Sequence, residues 1–365
     1  MNKYDYVIVG SGLFGSVFAE RAKHLNKKIL VLEKRNHIAG NIYTENIDGI
    51  NVHKYGGHIW HTASKKIHDY MCQFCTFNNY NHTVKVNFNN KIYSFPINLL
   101  TLHQLWGVNS PQEAIQKLEE VKIKLDNPRN LEDWAISQVG EDIYNIFIKG
   151  YTYKQWGRNP SQLPSSIIKR IPIRLTFEDN YFPDDHIYQG IPIGGYTQIV
   201  EKMLDGVEVK LEEDFFDNKN LLERISEKII YTGPLDRFFD YSHGRLDYRS
   251  LRFEDQNLDG DFQGCVAVNY TSADVPFTRI LEHKHFEMQK ISKTIITREY
   301  SCEYDGKNEP YYPINDEKNK IVANIYKDMT SSLHQYHFGG RLATYNYYDM
   351  HQVVASALSL ADRIL

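Results

Sequence analysis

The pattern of apolar positions changes period several times along the chain, and each change marks an element. Lys3 to Val9 is a short apolar-rich run that reads as a buried strand. Glycines follow, then apolar residues at helical spacing to about Leu25, then a second apolar strand from Lys28 to Leu32. Asp48 to Tyr55 reads as extended and is closed by Gly56-Gly57; Ser64 to Cys75 has helical spacing through Ile67, Tyr70, Met71 and Phe74. His82 to Phe88 and Lys91 to Phe95 form a hairpin about Asn89-Asn90, stopped by Pro96.

The next stretch is helical. Ser110-Pro111-Gln112-Glu113 is a capping box with proline in the first turn, opening a helix to about Leu125. Asn130 caps a helix ended by Gly140, and Glu141 to Lys149 is a further helix ended by Gly150. Pro160, Pro164, Pro172 and Pro183 then break the pattern. Gly194-Gly195 opens a helix from Tyr196 to Leu204, and Val207 to Leu211 and Lys228 to Tyr231 are strand-like. Four β runs follow: Tyr248 to Phe253, Phe262 to Asn269, Thr278 to His283 and Thr294 to Glu299. The chain ends as α/β, with a helix from Lys320 to Met329, a strand end at Phe338-Gly339-Gly340-Arg341, and Asp349 capping a helix from Met350 to Ile364.

These elements predict an α/β protein with a discontinuous Rossmann-like domain over 1–78, 190–235 and 315–365. A helical domain with a lid loop, 97–160, is inserted into it. An antiparallel β domain for substrate covers 79–96, 161–189 and 236–314.

The first strand, turn and helix enclose Gly10-Ser11-Gly12-Leu13-Phe14-Gly15, the dinucleotide fingerprint in its required context. Gly10 permits the tight turn, Gly12 lets the backbone approach a pyrophosphate, and Gly15 lets the helix pack closely on the sheet. Free N–H groups at the helix start face the phosphates. Glu33 ends the second strand, where a carboxylate accepts from a ribose 2′-OH. The fingerprint alone leaves FAD and NAD open. A second helix start near the end of the chain, after Gly339-Gly340-Arg341, favours FAD, whose ribityl and flavin parts it can face.

Composition narrows the partners. The net charge is −4 and no long basic run exists, which argues against nucleic acid. No apolar run approaches the roughly 20 residues of a membrane span. The first strand begins almost at once, leaving no room for a signal peptide, so a cytoplasmic protein is expected. Cys72 and Cys75 form a CxxC late in a helix, not at its start, and no second CxxC completes a zinc site; they read as ordinary reduced cysteines, and no metal site is read elsewhere. The 26 tyrosines supply apolar faces with hydroxyls, which suit sugars and nucleobases.

Several long motifs together resemble the bacterial UDP-galactopyranose mutases from the first strand to the last helix. They include Glu33-Lys34-Arg35 to Asn41, Tyr55-Gly56-Gly57-His58-Ile59-Trp60-His61-Thr62 and Ile148-Lys149-Gly150-Tyr151-Thr152-Tyr153-Lys154-Gln155-Trp156-Gly157. Ile168 to Pro172 with Asn180-Tyr181-Phe182, Tyr188 to Pro192, Glu309 to Pro313, and Gly340-Arg341 to Asp349-Met350 complete the set. Relative to the family, Trp60 stands for a more usual Phe, Gly57 for a more usual Pro, and the Asp184-Asp185-His186-Ile187 stretch is one residue longer.

The resemblance implies an isomerase that interconverts UDP-galactopyranose and UDP-galactofuranose for cell-surface polysaccharide, and in some members acts on UDP-N-acetylgalactosamine. It implies FAD that must be reduced, with flavin N5 as covalent nucleophile and no net redox change; the chain itself shows no nucleophile elbow. A cellular reductant and a homodimer are further implications. Arg170 and Arg279 match the diphosphate arginines, as a diphosphate leaving group requires. Phe147, Tyr151 and Tyr181 fall at uracil positions, Tyr311 and Tyr347 at positions that bond the diphosphate, Asn81, Thr152 and Asn269 at further substrate positions, and Trp156 at the lid that excludes water. Gly10, Ser11, Gly12, Phe14, Gly15, Glu33, Lys34, Asn41, Gly57, Arg341, Asp349 and Met350 match cofactor positions. His58 and His61 match histidines beside the flavin ring, His58 closest and counted, with Arg170, Arg279 and Trp156, as catalytic.

Overall fold

The structure, a computed structural model, describes residues 3–165 and 173–365. Its contacts divide the chain into two compact units, one of 1–79, 185–249 and 304–365, the other of 80–184 and 250–303.

The first unit is built on a five-stranded parallel sheet in the order Tyr336–Phe338, Ser226–Tyr231, Tyr4–Val9, Ile29–Leu32, Glu208–Lys210. Tyr6 to Val9 lie opposite Lys228 to Tyr231 on one side, and opposite Ile29 to Leu32 on the other. Ile29–Leu32 is buried at every position, which is what covering a parallel sheet on both faces demands. On one face Leu13–His24 packs beside Thr197–Leu204 and Met350–Ile364 around Phe18, Val17, Ile199 and Ala357. The other face packs on Phe215, Leu222, Phe238 and Tyr336. The Asp48-Gly49 turn joins two short strands, Thr44–Ile47 and Ile50–His53, so the extended segment read from sequence is the second arm of a hairpin. Trp60–Thr62 pairs antiparallel with Tyr188–Gly190, His61 opposite Gln189.

The second unit carries six neighbouring strands in the order Tyr248–Asp259, Lys293–Glu303, Arg279–Glu282, Ala267–Tyr270, Val84–Phe88, Lys91–Phe95, the first entering from Ser250 onward. The Asn89-Asn90 turn has both residues at positive φ, the geometry that matches strand twist in a two-residue hairpin. Its helices share one core, in which Leu102, Leu131, Ala135 and Ile143 are fully buried.

The helices differ from the sequence reading at two ends. Pro111–Val121 stops four residues before Leu125, at Lys122 in an extended conformation. Gly140, at φ 77°, kinks the chain as read, but Gly150 does not end the next helix. Its φ of −70° is helical, and the chain runs through the π-helical Tyr144–Lys149 into Gly150–Trp156, ending at Gly157 with φ 65°. Gly150 is needed for a different reason: a Cβ there would lie 2.1 Å from the Thr271 carbonyl oxygen. The β run from Phe262 shortens to Ala267–Tyr270, because the N–H groups of Phe262, Gln263 and Gly264 donate to the buried Glu282 carboxylate instead of to a neighbouring strand.

Candidate functional site

In the first unit the carboxyl ends of the parallel strands open into a cleft of about 340 Å³. Gly10 adopts φ +102°, a conformation natural to glycine, and a Cβ on Gly15 would lie 2.1 Å from the Gly10 carbonyl oxygen. A Cβ on Gly40 would come within 2.9 Å of Gly12 Cα, so two glycine backbones face each other at the wall. Only small side chains leave that channel open to a pyrophosphate at the start of Leu13–His24, whose first turn holds no acidic residue. Gly10, Gly12, Phe14, Gly15, Glu33, Lys34, Asn41, His58, Arg341 and Met350 all line the cleft. Ser11 is buried behind it, and Asp349 is the N-cap of Met350–Ile364, in a capping box with Gln352. Gly57 adjoins His58 in the chain and is not part of the lining.

Glu33 is buried and organises this wall. Its Oε2 accepts from Ser11 N–H at 3.0 Å and Ser11 Oγ at 2.7 Å, and its Oε1 from Arg35 N–H at 3.1 Å. The carboxylate thus ties the end of the second strand to the glycine turn. Beyond it, Arg35 lies over the Tyr55 ring at 4.2 Å and pairs with Glu309 at 3.0 Å, while Lys34 reaches Glu309 at 2.8 Å. Burial opposes ionisation of Glu309, but the two cations hold its carboxyl below its usual range. This knot fixes the start of the Glu309-Pro310-Tyr311 segment. Tyr311 is buried, its hydroxyl pushed upward by burial, and its carbonyl accepts from Arg341. The Arg341 guanidinium also sits 4.7 Å from the centre of the Tyr347 ring, which is 51% exposed. His58 places Nδ1 2.7 Å from the Gly56 carbonyl oxygen.

Sequence reasoning missed part of this cleft. Glu213 to Phe216 and Thr232 to Pro234 line it, as do Arg237 and Tyr241. They follow the strands Glu208–Lys210 and Ser226–Tyr231, and the rule that ligands sit at the carboxyl ends of parallel strands would have pointed to them.

In the second unit, three residues lie in register across neighbouring strands: Asn269, Arg279 and Glu299. Directly opposite residues share a face. Arg279 donates Nε and Nη2 to one oxygen of Glu299, at 2.9 and 2.8 Å, and Glu299 is 2% exposed. The guanidinium is therefore anchored from beneath while its side chain remains a quarter exposed. Tyr151, Thr152 and Trp156 lie on the helix Gly150–Trp156, with Thr152 buried and Trp156 packed against the helical core. Lys154 on the same helix donates to the carbonyls of Tyr270, Ser272, Val275 and Phe277, at 2.5 to 3.1 Å. It clamps the turn between Asn269 and Arg279, and burial lowers it to about 8 against the pull of Asp274. Phe147 is buried between Tyr93 and Phe95, and Tyr181, 43% exposed, stands 5.3 Å from His82 and 6.2 Å from Phe95. Asn81 is exposed. Arg170 and the Ile168–Pro172 motif lie outside the described residues.

Burial pushes the Cys75 thiol up to about 12 and also raises Cys72, so neither is an activated nucleophile, and all four cysteines are free. Among the described residues no helix is long and apolar enough to cross a membrane.

Comparison with known proteins fits this geometry. Residues 146–347 match the family model for UDP-galactopyranose mutase, and residues 8–74 that for an NAD(P)-binding Rossmann-like domain. A Klebsiella pneumoniae protein named "Probable UDP-galactopyranose mutase" is 37% identical over all of this chain and 96% of its own. The chain belongs to the UDP-galactopyranose mutase family. Members are isomerases, and the chain is an enzyme of that class. An Escherichia coli dTDP-fucopyranose mutase is also 37% identical, over 99% of this chain and 98% of its own. A crystal structure of reduced UDP-galactopyranose mutase shares the fold, with a TM-score of 0.77 at 15% identity, covering 99% of this chain and 95% of that one.

Proposed function

We propose that the protein interconverts UDP-galactopyranose and UDP-galactofuranose, using FAD held in the cleft of the first unit. The observation that carries this reading is Arg279 seated on a buried Glu299: a guanidinium fixed for an anion has no use in a simple oxidase, and family membership supplies the anion as a sugar nucleotide diphosphate.

The cleft fits a dinucleotide. The glycines around Gly10 and Gly40 leave room for a pyrophosphate, and Glu33, Lys34, His58, Arg341 and Met350 line the same cleft, the first two for the adenosine ribose and the others for the flavin part on this reading. Reduced FAD supplies, when bound, a nucleophilic nitrogen for the anomeric carbon with no net redox change. The chain's own groups do the rest. Arg279, with Arg170, neutralises the diphosphate as the bond to the sugar breaks. Tyr311 and Tyr347 carry hydroxyls that can donate to diphosphate oxygens. Phe147, Tyr151 and Tyr181 present rings to the uracil, with Thr152, Asn81 and Asn269 as polar partners. Trp156 and the segment after it exclude water from a reactive sugar. A cytoplasmic homodimer, a cellular reductant, and use of the product in cell-surface polysaccharide complete the reading.

The test is product analysis of purified protein given UDP-galactofuranose, with and without dithionite. Conversion to the pyranose only after reduction is expected; no conversion with a reduced, bound flavin would sink the reading. A second reading has its own support: the dTDP-fucopyranose mutase is as similar as the Klebsiella protein. The same assay with dTDP-fucopyranose, and with UDP-N-acetylgalactosamine, ranks the substrates by kcat/KM.

A further inference from the structure

We propose that His61, His186 and His351 form a binding site for a zinc-like divalent cation, with the Asp349 carboxylate as fourth donor. The site goes beyond the mutase reading and does not depend on it.

Three elements of the first unit bring these side chains together. His61 lies in the strand Trp60–Thr62, His186 precedes the paired strand Tyr188–Gly190, and His351 is in the first turn of Met350–Ile364. The ring centres stand 4.9 Å apart for His61 and His186, and 5.2 Å for each of the other two pairs. Imidazoles sharing one zinc through nitrogens about 2.0–2.1 Å from it hold their centres roughly 5 Å apart. A ligand oxygen of Asp349 lies within 4.8 Å of ligand nitrogens of both His61 and His351. Three imidazoles and a carboxylate make a donor set that suits zinc or its first-row neighbours rather than calcium or magnesium.

Two observations speak for a ligand and not merely for packing. His351 Nδ1 is buried with no hydrogen-bond partner among the described residues. Three imidazole rings from separate elements gather beside one carboxylate, an arrangement that ligation explains and apolar packing does not. His61 Nδ1 and His186 Nδ1 are 2.7 Å apart, a hydrogen bond that a cation would replace. The donor of that pair then moves its proton to its other ring nitrogen, with no net charge change.

The experiment uses untagged, flavin-loaded protein, stripped of metals and titrated with Co²⁺ and then Zn²⁺. One equivalent of Co²⁺ with a visible ligand-field band, displaced by Zn²⁺, is expected. His186→Gln should bind at least tenfold more weakly, and His24→Gln, a change at an exposed surface histidine, should bind as the parent does. Thermal melting without metal establishes that the variants fold, and His186→Ala replaces any that does not. Absence of the band, or equal binding by the parent and the His186 variants, would overturn the site and leave a hydrogen-bonded imidazole pair.

Discussion

On the proposed reading, the two units hold a charged ligand in opposite ways. In the first, the glycine turn, the helix start and Glu33 come from 24 consecutive residues, Gly10 to Glu33, and what binds is mostly backbone exposed by missing side chains. In the second, Asn269, Arg279 and Glu299 come from three strands, and the helix that bears Tyr151 and Trp156 comes from more than a hundred residues earlier. There a side chain binds, and other side chains hold it. The lesson is that a backbone cradle fails by addition of atoms, while a side-chain anchor fails by their removal.

Opposite substitutions should therefore disable each. The largest effect is expected for Arg279→Ala, which should lower kcat/KM and UDP affinity by about 100-fold or more. It also leaves a buried carboxylate unpaired, a loss of about 3–5 kcal/mol in stability. The double variant Arg279→Met with Glu299→Gln should regain much of that stability, followed by urea unfolding, without regaining UDP affinity. Surviving UDP affinity in Arg279→Ala would break the comparison and remove Arg279 from the substrate site. Next, Gly15→Ala should yield folded protein with little bound flavin, read from visible absorbance, because its Cβ meets the Gly10 carbonyl.

Lys154→Met removes a charged donor from four carbonyls, and should cost about 3 kcal/mol of stability. In the parent, UDP affinity should fall as pH rises through about 8, where the clamp loses its proton, and that step should be missing in the variant. Trp156→Ala should weaken UDP-sugar binding roughly tenfold, about 1.4 kcal/mol; unchanged binding and rate would remove it as a lid contact. The smallest effect is expected for Cys72→Ser with Cys75→Ser, which should leave turnover unchanged.

The same contrast explains what the sequence disclosed. The glycine fingerprint, the Asn89-Asn90 hairpin and the Asp349 cap are local, and each stands where its residues put it. Gly150 was misread because glycine after a helical run ordinarily stops it. Here its reason is a carbonyl at Thr271, which no local pattern reveals. The Phe262 run was misread because Glu282, from the following strand, takes its N–H groups. Glu213 to Phe216 escaped notice because the cleft gathers loops from strands far apart in sequence. Arg279 was found by resemblance; that Glu299 seats it needed the register of two strands.

The missing side chain at Gly150 sets how this enzyme can change. With the Thr271 carbonyl against the helix backbone, the Gly150–Trp156 helix and the turn before Arg279 share one fixed spacing, stapled again by Lys154. Neither can slide or tilt to welcome a bulkier nucleotide without lifting the other. New specificity in this lineage must come from exchanging the groups that project from that rigid frame, so relatives that prefer another base or sugar should keep the glycine and the lysine while altering their neighbours.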